Sequence, residues 1–192
     1  MRNIIELAHI SLDGFMAGPG GDMSFITMND EIADDVYPSL HSVDTAVYGR
    51  TTYQMMQGYW PEVVDSQDAT AHERAHARWY MGVTKIVASR TLPASSDPKL
   101  RIIKDDIVDV LAAEKRKPGS DIMIFASPTL VHTLTAHDLI DEWRINVQPV
   151  AIGGGLPLFT NHRTQLELRS AKTYRSGVIA TRYVTKRAGG PA

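Results

Sequence analysis

The sequence contains no cysteine, which excludes disulfides, thiolate metal sites and a cysteine nucleophile. It also has no excess of charge of one sign, because 20 Lys and Arg residues oppose 22 Asp and Glu residues and leave a net charge of −2. The basic residues are scattered along the chain. We therefore expect no binding of nucleic acid or of an anionic membrane surface.

Long hydrophobic runs are also missing. The N-terminal segment becomes charged again at Glu6, so no signal peptide is predicted, and no later run approaches the length of a membrane span. Together with the lack of cysteine, this favours a protein of the cytoplasm. The composition, 43% hydrophobic and 22% charged over 192 residues, is enough to bury one core. We predict a single domain over residues 1–187 and a flexible tail over residues 188–192.

Short apolar segments rich in β-branched residues alternate with helix-compatible segments along most of the chain. The predicted strands cover residues 3–10, 44–49, 84–89, 99–103, 121–126 and 142–150, with two more strands between 165 and 185. The predicted helices cover residues 29–41, 51–57, 68–81, 106–115 and 127–137. This order indicates an α/β fold with a mostly parallel sheet and an antiparallel C-terminal hairpin.

Polar or small residues follow three of the predicted strands, in the segments Gly49-Arg50-Thr51-Thr52, Ser89-Arg90-Thr91 and Ala126-Ser127-Pro128-Thr129. Ligands collect at the carboxyl ends of strands in open α/β sheets, because helix N-termini there offer free N–H groups and a positive dipole. Each segment alone is also compatible with a turn, a solvated arginine or a helix cap, with Ser127 as the cap before Pro128. Their recurrence at three strand ends favours a phosphate-containing ligand.

Four motifs follow one another along the chain: Ser11-Leu-Asp-Gly14, the segment 47–53, the segment 86–90 and the segment 122–127. Their order and spacing resemble the dihydrofolate reductase superfamily. The segment 139–142, which leads into residues 149–159, is similar to the branch that contains the C-terminal reductase domain of bacterial riboflavin biosynthesis proteins. The similarity extends over nearly the whole chain. It implies a three-layer sandwich around a mixed eight-stranded sheet, which agrees with the strands predicted above.

The resemblance implies an NADPH-dependent oxidoreductase of the dihydrofolate reductase or 5-amino-6-(5-phosphoribosylamino)uracil reductase type. Such an enzyme passes a hydride to a small heterocyclic substrate, pterin-like or pyrimidine-like, and members of the family are often homodimers. The resemblance also implies a set of cofactor-binding residues. These are Gly49, Arg50, Thr51 and Thr52 for phosphates, Ser89 and Arg90 for the adenosine 2′-phosphate, Ala126, Ser127, Thr129 and Leu130 for the pyrophosphate and nicotinamide side, and Ala8 and His9 under the nicotinamide ring.

One segment departs from the family pattern. Family members usually carry consecutive glycines where this chain has Ala126-Ser127-Pro128. We expect the backbone to approach the pyrophosphate less closely there, and Pro128 removes one N–H donor. A non-catalytic relative of the same fold, which binds a nucleotide without turnover, therefore stays open as an alternative.

Two carboxylates are the candidates for catalysis. Folate reductases place a carboxylate on their first helix, and Asp34 lies nearest the expected offset from Gly49 in a helix rich in acids. The same acids would also suit a solvated helix face. Asp13 ends the first strand, where it would either orient the substrate or form a turn with Gly14.

Residues 72–76 fit the H-E-x-x-H pattern of zinc hydrolases, in which His72 and His76 would bind zinc and Glu73 would be the general base. A catalytic zinc needs a third protein ligand, and the sequence downstream supplies none at a suitable distance. Arg74 also places a cation between the two histidines. We therefore predict a chance match on a solvated helix and no metal site.

Overall fold

The computed structural model describes residues 1–187, so the predicted tail over residues 188–192 lies outside the described residues. Ten strands form within residues 1–187: β1 Ile4–Ser11, β2 Phe15–Ala17, β3 Val43–Gly49, β4 Thr84–Ala88, β5 Leu100–Ile103, β6 Asp121–Phe125, β7 Glu142–Gln148, β8 Leu156–Pro157, β9 Leu166–Thr173 and β10 Ile179–Thr185. Five α-helices form in the same range: α1 Asp30–Ser39, α2 Arg50–Val63, α3 Ala71–Gly82, α4 Ile107–Arg116 and α5 Pro128–Ala136. None of the helices in the described range is both long and apolar enough to cross a bilayer.

The sheet contains eight strands in the order β5-β4-β3-β6-β1-β7-β10-β9. The first six of these pair in parallel, whereas β10 runs antiparallel to both β7 and β9. The predicted α/β fold, mostly parallel with an antiparallel C-terminal hairpin, is confirmed. The central strands β1 and β6 read as nearly continuous apolar runs because helices cover both of their faces.

Helices form a layer on each side of the sheet, which completes the three-layer sandwich. On one face, Leu111 of α4 and Leu134 of α5 pack in a core with Ile4 and Ile122. The opposite face carries α1, α2 and α3, whose apolar side chains pack with the alternate residues of the same strands. These side chains are Val36, Tyr37, Tyr53, Met56, Trp60 and Tyr80.

The structure extends or adds elements where the local sequence signal is weak. The helix after Gly49 continues to Val63, beyond the predicted end at 57, because Trp60 packs on the sheet and its burial outweighs the helix cost of Gly58. The short strands β2 and β8 were not predicted. They pair with each other across about 140 residues of sequence, and only a tertiary contact of this kind stabilises segments so short.

Candidate functional site

The sheet has a topological switch point between β3 and β6. The helix after β3 covers one face of the sheet and the helix after β6 covers the other. The two connections therefore leave neighbouring strand ends toward opposite faces. In addition, β6 pairs with β1 only as far as Leu7 and Phe125, whereas β1 continues along β7 to Ser11. A crevice therefore opens at the carboxyl ends of the strands, which is where doubly wound sheets bind ligands.

A cavity of about 530 Å³ occupies this crevice. It brings together most of the predicted cofactor residues from three separate strand ends. Those that line it are Gly49, Arg50, Thr51, Thr52, Ser89, Arg90, Ala126, Ser127, Thr129 and Leu130.

Two helices begin at the wall of the cavity. Gly49 is the N-cap of α2 and has no side chain to satisfy the first turn, so the N–H groups of Arg50, Thr51 and Thr52 remain for a ligand. In α5, Leu130 donates to the carbonyl of Ser127, and Thr129 is left with a free N–H beside Pro128. Two helix N-termini that face one cavity favour an anionic group between them.

Ser127 connects the two strand ends at the switch point. Its Oγ accepts a hydrogen bond from the N–H of Gly49 at 2.8 Å and donates to the carbonyl of Phe125 at 2.9 Å. Ser127 is the N-cap of α5 and Pro128 its first residue, as predicted, but the hydroxyl makes no capping bond because the neighbouring strand end occupies it.

The segment that departs from the family pattern still adopts a backbone typical of glycine. Ala126 has a φ of 47° and Ser127 a φ of 64°, both in the left-handed region. This conformation costs a non-glycine residue roughly 1–2 kcal/mol, and the bridging hydroxyl of Ser127 offsets part of that cost. The backbone therefore follows a glycine-like path at the cavity without a glycine.

Charged residues gather at one end of the cavity, where three cations, Arg50, Arg90 and Lys104, line it together with Asp105 and Asp106. The Arg50 guanidinium donates to Oγ1 of Thr91 at 2.9 Å, which fixes it across the ends of β3 and β4. The buried Ser89 hydroxyl accepts the N–H of Leu92 at 3.1 Å and holds the turn that carries Arg90. Lys104, at the end of β5, lines the same end and was missed in the sequence. Applying the strand-end rule to β5 as well would have found it.

The other end of the cavity is apolar. Met16 and Ala17 of β2, Met55 of α2 and Leu156 of β8 line it, together with Met23. The pairing of β2 with β8 builds one wall of this end. These residues were also missed, because the pairing depends on contacts between distant segments of the chain.

The structure does not place Ala8 and His9 in the cavity wall. Ala8 is fully buried in the core. His9 lies half-buried at the free end of β1, with Nδ1 3.4 Å from Nε2 of Gln148. Burial lowers the pKa of His9 to about 4, so its imidazole is neutral at neutral pH.

The structure also does not bring the two predicted catalytic carboxylates to the cavity. Asp13 accepts the N–H groups of Ile152 at 3.1 Å and Gly153 at 2.7 Å. Hydrogen bonds from Ser11 and from these amides lower the pKa of Asp13. Asp34 lies 2.7 Å from Nε2 of His72, because α1 packs against α3. Their catalytic roles stay predictions.

The histidines of the H-E-x-x-H pattern face different surroundings. His72 pairs with Asp34, whereas His76 is buried with its ring centroid 4.1 Å from that of Trp60. Glu73 forms a capping box with Thr70 at the start of α3. Within residues 1–187, no three His, Asp or Glu side chains converge as metal ligands would. This geometry does not support the zinc hydrolase alternative.

Comparison with known proteins places the chain among reductase-like folds. The family model described as the RibD C-terminal domain matches residues 2–180. The uncharacterised protein YyaP of Bacillus subtilis is 29% identical over 184 residues, which cover 95% of this chain and 94% of YyaP. YwjB of the same organism, also uncharacterised, is 28% identical over 180 residues, covering 92% of this chain and 95% of YwjB.

Two solved structures show the same fold. A Shewanella sp. PV-4 protein assigned to riboflavin biosynthesis superposes with a TM-score of 0.73 at 23% identity, over 96% of this chain and 99% of that one. Dihydrofolate reductase from Enterococcus faecalis, solved as a complex with NADP(H), superposes with a TM-score of 0.62 at 10% identity, over 96% of this chain and 97% of the enzyme. The chain thus has the fold of the dihydrofolate reductases and belongs to the RibD C-terminal domain family.

Proposed function

We propose that this protein is an NADPH-dependent reductase that transfers a hydride to a small heterocyclic substrate, pterin-like or pyrimidine-like. The observation that carries the proposal is the convergence of two helix N-termini and three cationic side chains, Arg50, Arg90 and Lys104, on one cavity at the switch point. The family of the chain and the reductase fold of its structural neighbours support it.

The residues present fit a phosphorylated dinucleotide. The N–H groups of Arg50, Thr51, Thr52 and Thr129 would hold the pyrophosphate between the starts of α2 and α5. The fixed guanidinium of Arg50, with Arg90 and Lys104, would bind the adenosine 2′-phosphate. When bound, NADPH would supply the hydride.

The remaining work of the protein is to orient the reactants and to exclude water. The apolar end of the cavity, with Met16 and Ala17 in its wall, would keep water from the reacting ring. Asp13 is occupied by backbone amides and Asp34 by His72. We therefore propose that water delivers the proton that accompanies the hydride.

Calorimetric titration of the protein with NADPH and with NADH tests this proposal. We expect NADPH to bind at one site per chain and about ten-fold or more tighter than NADH, because each charge-assisted hydrogen bond to the 2′-phosphate contributes roughly 1.5–3 kcal/mol. Absence of saturable binding of either dinucleotide would contradict it. Tight binding with no turnover of any reducible heterocycle would favour the non-catalytic alternative.

We also propose that the protein is a homodimer. The edge strand β9 is largely exposed and carries Leu168, 53% of which is accessible to solvent. An exposed edge of this kind is a surface for pairing or packing with a second copy. Light scattering after gel filtration measures the mass directly, and a mass of one chain at micromolar concentration would exclude the dimer.

A further inference from the structure

The charged residues of the cavity are confined to one end. Arg50 and Arg90 follow β3 and β4, and the segment 104–106, which contains Lys104 and two aspartates, follows β5. These three strands are neighbours at one edge of the sheet. Every charged residue among the described residues that line the cavity belongs to this group.

The opposite end of the cavity is lined by thioether and aliphatic side chains, and several of these side chains are accessible to solvent. Met23, Met55 and Leu156 line it and are 37%, 42% and 48% exposed. Met16 and Ala17 form its buried inner wall. Apolar side chains that stay accessible at a cavity mouth mark a surface that a ligand covers.

The lining residues outside the charged group provide no cation, and neither do the titratable residues within residues 9–24, at the end of β1 and around β2. Asp13 is held by two backbone amides, and burial keeps His9 neutral. Asp22, which stands between the lining residues Gly21 and Met23, carries a negative charge and accepts the N–H of Ser24 at 2.9 Å. The charged residue adjacent in sequence to these lining residues thus has the wrong sign to bind an anion.

Two cations of the β9–β10 hairpin face acidic residues of α1. Lys172 pairs with Asp35, and Arg175 lies 3.7 Å from Glu31. An anionic substituent that is buried against the lining of the apolar end would therefore lose its hydration without gaining a partner from that lining, which costs binding free energy.

We infer that the substrate which accepts the hydride at this site is an uncharged aromatic or heteroaromatic ring that carries no phosphate or carboxylate tail. This inference rests on the proposed function, because it assigns the cationic end of the cavity to the cofactor and the apolar end to the substrate. Methionine side chains pack well against aromatic rings and adapt to their outline. The site would therefore reject folates with their glutamate tail and pyrimidines with a phosphoribosyl group.

Matched pairs of ligands that share a ring and differ in charge test the inference. We would measure the affinity of riboflavin against flavin mononucleotide and of 7,8-dihydrobiopterin against 7,8-dihydrofolate by calorimetry, both in the free protein and in the presence of saturating NADP⁺. We expect the uncharged member of at least one pair to bind about ten-fold tighter than its charged partner. Equal or tighter binding of the charged members, or no binding of either uncharged member, would overturn the inference.

The variant Met55→Lys supplies the missing cation at the apolar end. It should narrow or reverse the preference between 7,8-dihydrobiopterin and 7,8-dihydrofolate, because the ammonium group can pair with the carboxylates. The control is Met81→Lys, since Met81 is 50% exposed on α3 and does not line the cavity. An equal change in both variants would contradict the assignment of the apolar end. Failure of NADPH to bind the wild-type protein would count against the proposed function, whereas a preference for the charged member of each pair at saturating NADP⁺ would count against this inference alone.

Discussion

Arg50 is the cation that the structure fixes most firmly in the cavity, through its hydrogen bond to Thr91 across two strand ends. A guanidinium held in this way is preorganised for a phosphate, so less rotamer entropy is lost when the ligand binds. Its position at the start of α2 also adds the field of the helix dipole.

Replacing Arg50 with Ala should therefore weaken NADPH binding by about ten-fold to a hundred-fold. NADH binding should fall far less, because NADH lacks the 2′-phosphate. Calorimetric titration of both dinucleotides measures the difference, and Arg78→Ala, an exposed arginine on α3, is the control. Equal losses for the two dinucleotides would contradict the assignment of Arg50 to the 2′-phosphate.

The hydroxyl of Ser127 and the left-handed backbone at the same residue have separable effects on the free energy of unfolding. Ser127→Ala keeps the strained backbone and leaves the N–H of Gly49 without its acceptor, so we expect a loss of about 1–3 kcal/mol in the free energy of unfolding. Ser127→Gly removes the same hydroxyl but relieves the strain. The glycine variant should be about 1 kcal/mol more stable than the alanine variant, and urea denaturation compares the two. An alanine variant as stable as the glycine variant would show that φ at this position carries no strain.

At the scale of elements, β2 and β8 form the wall of the apolar end, and Gly155 permits their close approach. Gly155 has a φ of 141°, and a methyl group added there would overlap the carbonyl oxygen of Ala17. The adjacent Gly154 has open space around it. The two glycines therefore provide a matched pair of substitutions.

Gly155→Ala should separate β2 from β8 and destabilise the wall, with a cost of roughly 1–3 kcal/mol from strain at this position. We expect faster amide hydrogen exchange in residues 15–17 and weaker binding of any ring that occupies the apolar end. Gly154→Ala should change neither quantity. Unchanged exchange in the Gly155 variant would mean that this pairing does not hold the wall.

The elements that sequence reasoning predicted are those with a local signal. Strands β1, β3 and β6 are apolar runs closed by turn residues, and the strand-end rule identified Gly49, Ser89 and Ser127, which line the cavity. These features depend on residues close together in the sequence.

The features that were missed depend on distant contacts. The apolar wall requires β2 to meet β8, and the ion pair between Asp34 and His72 requires α1 to pack on α3. The hydroxyl of Ser127 accepts the N–H of Gly49, which lies at the end of a different strand. Spacing along one segment contains no information on any of these contacts.

At the scale of the whole molecule, two buried neutral histidines contribute to the pH dependence of stability in mild acid. Burial lowers the pKa of both His9 and His76 to about 4. The unfolded chain binds protons below its ordinary histidine pKa of about 6.5, whereas the folded chain does not until about pH 4. This histidine contribution therefore lowers the free energy of unfolding as the pH falls from about 6.5 to about 4, whereas burial of Glu6, which raises the pKa of its carboxyl, acts in the opposite direction.

His76→Phe should reduce this pH dependence, because phenylalanine fits between Trp60 and Tyr37 and binds no proton. The slope of the free energy of unfolding between pH 6 and pH 4.5 should fall by up to about 1.4 kcal/mol per pH unit. Urea denaturation across this range measures the slope. His137→Phe, at an exposed position after α5, is the control, and an equal effect of both substitutions would contradict the role of burial.

The most direct measurement is a crystal structure of the protein grown with saturating NADP⁺. We expect the pyrophosphate between the starts of α2 and α5, within hydrogen-bond distance of the N–H groups of Arg50, Thr51 and Thr52. The 2′-phosphate should contact Arg50 and Arg90, and the nicotinamide should lie toward Met16. A dinucleotide bound elsewhere on the surface, or a cavity filled by solvent alone under these conditions, would contradict the assignment of this crevice to the cofactor.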